Sequence, residues 1–366
     1  MMPRFWIITT LCLLISIHAG HQVKAESETA TAFVHVNLIP MTREAVIPDQ
    51  TVLIRGKHIV AVGPSGQIQL PDNTHIISGE NSFLMPCLAD MHMHIPFQVG
   101  LDGVLAEGMN EIAHIEELLW EFVDFDRSLY FESEAAWMNY VIHTTFHQLE
   151  PLLALTPGEI EKRFEKNMAA MIEKLSSRNI PFCTTLVVDD VIVQKLFDPE
   201  GFIAKPENRY LPTWYLNLFR QGKEKHQQQF KGGEAFAPFK YLLDKLLLKR
   251  LKQAGIPLLL STDSGTGGMG IVPGFSIQDE LRILVENGFT PYEAIASGTV
   301  TASGVIQEMT GIDDFGTIEP GKRADLILVR KNPLKDVTNI RNPLGVMTAG
   351  TWYDQKKLQA MMTQIE

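Results

Sequence analysis

The sequence predicts an α/β protein, with a parallel barrel in the middle of the chain and a small β domain assembled from both of its ends. Three observations predict it. Between about 83 and 314, amphipathic helical segments alternate with short, largely apolar runs, as strands buried on both faces are. Outside that span the sequence turns to short alternating segments punctuated by turn residues. Residues able to hold a metal or a proton stand at the ends of apolar runs, and parallel barrels carry their chemistry at the C-terminal ends of strands.

The first 25 residues read as an export signal: Arg4, an apolar stretch from Phe5 to Ile17, and the small-residue site Val23-Lys24-Ala25. A membrane anchor competes with this reading, but a stretch of 13 residues falls short of the roughly 20 that span a bilayer. Secreted or periplasmic location is the expectation, with no membrane association once the signal is removed. Removal takes away Arg4 and Lys24 and no acidic residue, so the formal charge moves from -11 to -13. So acidic a chain is not expected to bind nucleic acid. Cys87 and Cys183 each lie in an apolar run and read as buried free thiols, although an oxidising compartment would allow one disulfide.

From 26 to 82 the chain offers Phe33-Val34-His35-Val36, Gln50 to Arg55 and Lys57 to Pro64, with Arg55-Gly56-Lys57 as a turn. The end of the chain, 315–366, has the same texture, with Phe315 to Lys322 followed by the apolar strand Ala324 to Val329. Both ends are expected to form one composite β domain, leaving 83–314 as the barrel.

Within the barrel region, Thr156-Pro157 opens a helix with apolar positions Ile160, Phe164, Met168, Met171, Ile172 and Leu175, and a strand from Phe182 to Val188 follows. The next unit repeats the design: Leu242, Leu243, Leu246, Leu247 and Leu251 share a face, Gly255 stops the helix, and Ile256-Pro257 begins a strand ending on Asp263. Ser276 with Asp279 has the spacing of a capping box for the next helix.

His92-Met93-His94 closes the apolar run from Phe83 to Met91. In an extended strand alternate side chains share a face, so His92 and His94 can hold one cation, and an aspartate from another strand, Asp263, would complete a charge-balanced site. Asp90 falls on the same face as His92 and could orient a ligand or be an ordinary structural carboxylate. His143 and His147 stand four apart but lack the glutamate of a zinc-protease helix, so they read as surface or core histidines.

The residues Phe83 to His94, Leu258 to Asp263, Thr290 to Ile295 and Phe315 to Val329 together resemble the metal-dependent amidohydrolase superfamily, in particular its imidazolonepropionase- and prolidase-like members. The resemblance implies a (β/α)8-type barrel with a small β-sandwich domain formed by both termini. It implies hydrolysis of an amide or cyclic amide C–N bond in a small substrate such as a dipeptide, by water activated at a divalent metal. His92 and His94 correspond to first-strand metal ligands, His114 to the sixth-strand histidine, and Asp263 to the aspartate that binds metal and takes a proton from the attacking water.

The chain departs from the family pattern in one interval. Only 19 residues separate His94 from His114, where a complete barrel places several strands and helices. No lysine lies between Lys57 and Lys162 to act as the bridging ligand of two-metal members. The expectation is therefore an incomplete barrel with one zinc held by His92, His94, His114 and Asp263. The alternative is a catalytically impaired relative with a binding role, or a homo-oligomer that completes the barrel through a partner.

Overall fold

The computed structural model describes residues 29–92, 114, 122–126, 128–176, 181–265 and 269–364. The 1–25 signal and His94 lie outside the described residues.

Both ends of the chain enter one eight-stranded sheet. Its strands are β1 (Thr31–Leu38), β2 (Ile47–Arg55), β3 (His58–Pro64), β4 (His75–Ser78) and β5 (Phe83–Pro86), joined later by β8 (Leu326–Val329), β9 (Gly345–Thr348) and β10 (Thr351–Asp354). Strands β1, β2 and β3 form an antiparallel meander. The other edge of β1 is shared, with β4 parallel along its first half and β5 parallel along its second. Strand β5 then pairs antiparallel with β8, which pairs antiparallel with β9, and β9 with β10. Phe83–Pro86, read from sequence as the opening of the barrel, thus runs in the composite sheet.

The sheet folds back on itself. Phe33 on β1 and Trp352 on β10 are separated by three strands in the sheet order, yet their rings meet edge to face at 5.2 Å. Lys57 O accepts from Ala324 N at 2.7 Å, tying the β2–β3 turn to the approach of β8. The enclosed core contains Val36, Leu38, Val52, Ile54, Leu84, Leu326, Leu328 and Met347. A single continuous sheet, rather than two separate sheets, provides both walls.

The helical part comprises α1 (Glu134–Leu149), α2 (Pro157–Ser176), α3 (Val187–Phe197), α4 (Pro199–Ala204), α5 (Thr213–Arg220), α6 (Lys225–Gln229), α7 (Phe236–Gln253), α8 (Ser276–Glu286), α9 (Pro291–Ser297), α10 (Val300–Thr310) and, at the end of the chain, α11 (Gln355–Thr363). Apart from α11, which lies against β9 and β10, it packs around a short parallel pair, β6 (Phe182–Cys183) and β7 (Leu258–Leu259). Among the described residues these are the only two strands of that parallel sheet, against the eight of a complete barrel.

Local rules place these elements. Thr156 and Glu159 cap α2 reciprocally, and its Ile160, Phe164, Met168, Met171 and Leu175 are buried at helical spacing. Helix α7 buries Leu243, Leu247, Leu248 and Leu251, and Gly255 leaves it at φ 71°, a left-handed conformation that glycine adopts without a Cβ clash. Truncating Leu247 to alanine would cost about 2–5 kcal/mol through the cavity left in the helical core.

Two expected features differ. The strand drawn from Phe182 to Val188 stops at Cys183, and Val187 starts α3. The β-branched run suggests a strand, but Asp189 and Asp190 in the first turn suit a helix N-terminus. The Ser276–Asp279 capping box does not form, because Ser276 Oγ accepts from Val272 N at 2.9 Å and Phe275 occupies the cap. Thr290 and Glu293 do make such a box at α9.

Candidate metal centre

The chain leaving β5 continues as 87–92 beside the chain leaving β7. Met91 N donates to Leu260 O at 2.9 Å, and Asp263 N donates to His92 O at 2.9 Å. His92 and Asp263 therefore sit at the ends of neighbouring parallel segments. Asp90 stitches the two, its carboxylate accepting Thr262 N at 3.1 Å and Thr262 Oγ1 at 2.6 Å. Burial raises the Asp90 carboxyl above its ordinary range, and the Thr262 bonds partly offset that. Behind them, Gly298 lets the α9–α10 junction approach closely, since a Cβ there would stand 2.6 Å from Leu260 Cδ2.

Three of the expected ligands converge. One potential donor atom each from His92, His114 and Asp263 lies within 4.8 Å of the others. His92 Nε2 is 3.5 Å from Asp263 Oδ1, and the His92 and His114 rings meet edge on at 4.7 Å between centroids. The His92 side chain is 20% exposed and that of Asp263 7% exposed, so the group is sheltered but reachable. Asp263 adopts φ 56°, a left-handed conformation that aspartate tolerates better than most residues and that is enriched at functional sites.

This donor set fits a zinc-type ion. Two imidazoles and a carboxylate are the ligand types of a mononuclear hydrolytic site, and tetrahedral bonds of about 2.0–2.2 Å set donors about 3.4 Å apart, close to the His92–Asp263 separation. His114 also has a partner suited to orienting a ligand, with Nδ1 3.1 Å from Thr185 Oγ1.

Several polar groups at or behind this centre were not singled out from sequence. Thr185 belongs to an apolar run and carries no motif. Glu280 lies on α8, fully buried, and accepts Leu186 N at 3.2 Å and Val187 N at 2.6 Å. Burial pushes its carboxyl up to about 7. A further buried group surrounds Lys195, and here a sequence signal existed, because Lys195 follows Val191 by one helical turn on the apolar face of α3. His143 and His147 are both exposed on α1. Cys183 is buried, and burial pushes the Cys87 thiol up to about 12. None of the helices among the described residues is long and apolar enough to cross a membrane.

Comparison with known proteins bears on the same region. The amidohydrolase family profile matches residues 245–353, which include Asp263, α8 to α10 and β8. Among solved structures, the chain is similar to a prolidase complexed with N-methylphosphonate-L-proline, with 16% identity over 89% of this chain and 100% of that one and a TM-score of 0.54. It is also similar to an amidohydrolase, with 17% identity over 89% of this chain and 99% of that one and a TM-score of 0.52. At these identities the likeness is one of fold. Curated protein sequences give no match.

Proposed function

We propose that this chain, whose residues 245–353 match the amidohydrolase family profile, is a metal-dependent hydrolase of an amide or cyclic amide C–N bond in a small substrate such as a dipeptide. One observation carries the reading: His92, His114 and Asp263 bring two imidazoles and a carboxylate together, with His92 and Asp263 on neighbouring parallel segments. His94 stands as a fourth candidate ligand on the strength of the sequence alone. A divalent ion, with zinc the best match to the donors, would supply Lewis acidity toward the substrate carbonyl and make water acidic enough to react near neutral pH.

The chain's own groups have separable tasks. His92 and His114 would hold the ion through imidazole nitrogens. Asp263 would take the proton of the attacking water as the water oxygen bonds to the carbonyl carbon. It then passes that proton to the nitrogen as the C–N bond breaks. Asp90, through Thr262, keeps Asp263 in register with His92. The fold of a prolidase supports dipeptide-like amides as the first substrates to try, and the 1–25 segment supports a secreted or periplasmic setting.

The experiment is elemental analysis of the purified protein, with turnover of a panel of dipeptides and cyclic amides by wild type and Asp263→Asn. About one zinc per chain, turnover by wild type, and at least a hundredfold loss in Asp263→Asn are expected, as befits a positioned general base. A folded protein with neither zinc nor turnover overturns the proposal. It would favour the impaired or oligomer-dependent alternative, for which the two-stranded parallel sheet among the described residues is the supporting observation.

A further inference from the structure

The turn between β6 and α3 is conformationally strained and doubly restrained. Thr185 has φ 47°, a region that a β-branched residue occupies only when its surroundings impose it. The surroundings are specific. On the strand side Thr184 N donates to Leu259 O at 3.0 Å, and on the helix side Val188 N donates to Thr185 O at 3.1 Å. Leu186, the N-cap of α3, has no capping side chain, so the first amides of that helix need an acceptor from elsewhere. Glu280 supplies it from α8, ninety-odd residues away in sequence, with one carboxylate oxygen for Leu186 N and the other for Val187 N. The strained residue presents its hydroxyl to His114 Nδ1.

We propose that Thr185 is a positioning residue for His114, and that Glu280, by capping α3 in trans, holds Thr185 in the conformation that does this. The inference rests on the metal reading above. When His114 Nδ1–H donates to Thr185 Oγ1, the lone pair is left on Nε2, and the ring plane is fixed before any ion arrives. Glu280 bonds to Leu186 N and Val187 N, the two amides that follow Thr185, so its hold on His114 runs through the turn. In this arrangement α8, the helix that follows the Asp263 loop, also sets the orientation of a ligand delivered from another part of the chain.

The test compares wild type, Thr185→Val and Thr185→Ser by two readouts. The first is zinc affinity by chelator competition, with the visible spectrum of the cobalt-substituted protein as a check on ligand geometry. Valine keeps the shape and removes the hydroxyl, and should weaken zinc at least about tenfold, the usual loss when a ligand's supporting hydrogen bond is removed. Serine should restore the wild-type value. The second readout is the tautomer of His114 in the metal-free protein, from nitrogen NMR of histidine-labelled samples. The Nδ1–H form should prevail in wild type and Thr185→Ser and give way to a mixture in Thr185→Val. Glu280→Gln, which retains one acceptor oxygen, should shift both readouts in the same direction by less.

An unchanged His114 tautomer in Thr185→Val overturns the positioning role whatever the metal result. So does zinc affinity in Thr185→Val equal to wild type, or a loss in Thr185→Ser as large as in Thr185→Val. Failure of wild type to bind zinc is a different result, visible without any variant, and it removes the metal reading on which the role depends.

Discussion

Two clusters of polar side chains, one fully buried and one sheltered but reachable, balance negative charge in opposite ways in this molecule. Around Lys195, α3 delivers the ammonium, α5 Tyr215, the start of α6 Glu224 and His226, and the segment beyond Asp263 the Met269 carbonyl. Lys195 Nζ lies 2.8 Å from Glu224 Oε1, 2.5 Å from His226 Nδ1, 2.9 Å from Met269 O and 3.4 Å from Tyr215 OH. Burial lowers the His226 imidazole well below its ordinary range, with Lys195 adding to the effect, so a neutral ring accepts from the ammonium. The Lys195 and Glu224 side chains are 0% and 1% exposed. The carboxylate and imidazoles of the His92–His114–Asp263 group are the same kinds of donor, but they converge beyond the ends of β5 and β7 with His92 partly open. A carboxylate beside an imidazole is therefore not in itself a metal site. What separates the two is whether the fold supplies the cation or leaves the donors within reach of one from solution.

The largest effect expected from this contrast is at Lys195. Lys195→Met removes a built-in cation and strands Glu224, and loss of one partner of a buried ion pair typically costs about 3–5 kcal/mol. Urea denaturation should show that loss, with zinc per folded chain unchanged. Adding Glu224→Gln should recover part of the stability, because the stranded charge is gone. If the single variant is as stable as wild type, the pair is not the internal counter-charge described here.

Sequence reasoning saw the second group and the first to different depths for a physical reason. His92 and Asp263 were legible because each ends an apolar run, and backbone periodicity alone puts such residues at strand ends. His114 came only through a family resemblance, since nothing in its own surroundings, Ile112-Ala113-His114-Ile115, marks a ligand. The β texture of the two chain ends was plain in their alternation. That they share one sheet was an expectation, and the β5–β8 pairing that joins them links residues more than two hundred positions apart. The helix at Val187 was misread because β-branched residues favour strands unless the tertiary setting overrides them, and the override is Glu280, remote in sequence. Thr185 was invisible for the same reason, as its role depends on a backbone conformation and not on its identity in a motif.

A second test of the comparison uses pH, since a built-in cation titrates and a bound metal ion does not. Burial pushes Lys195 down to about 8 from an ordinary 10.5. Between those values the unfolded chain holds a proton that the folded one has released, so stability due to this group rises with pH across about 8 to 10.5. Below 8 the full penalty for burying the ammonium is present. Relative to Lys195→Met, wild type should gain on the order of 3 kcal/mol over that window. Urea midpoints for the two proteins at matched pH values give the difference, and parallel curves would mean that Lys195 titrates normally.

The smallest effect belongs to the metal group, and its sign is opposite in kind: stability should come from outside. Free zinc at a hundred times its dissociation constant should stabilise wild type by about 2.7 kcal/mol, because the ion binds only the folded arrangement of donors. The increment should vanish in His92→Ala, while the metal-free stabilities of the two proteins stay close, as His92 is partly exposed and contributes little packing. Lys195→Met should keep the whole zinc increment on its lowered baseline. Thermal denaturation of all three proteins with zinc and with chelator separates these cases. A zinc increment that survives in His92→Ala but disappears in Lys195→Met would reverse the assignment of the two groups, making the Lys195 cluster the one that senses the ion.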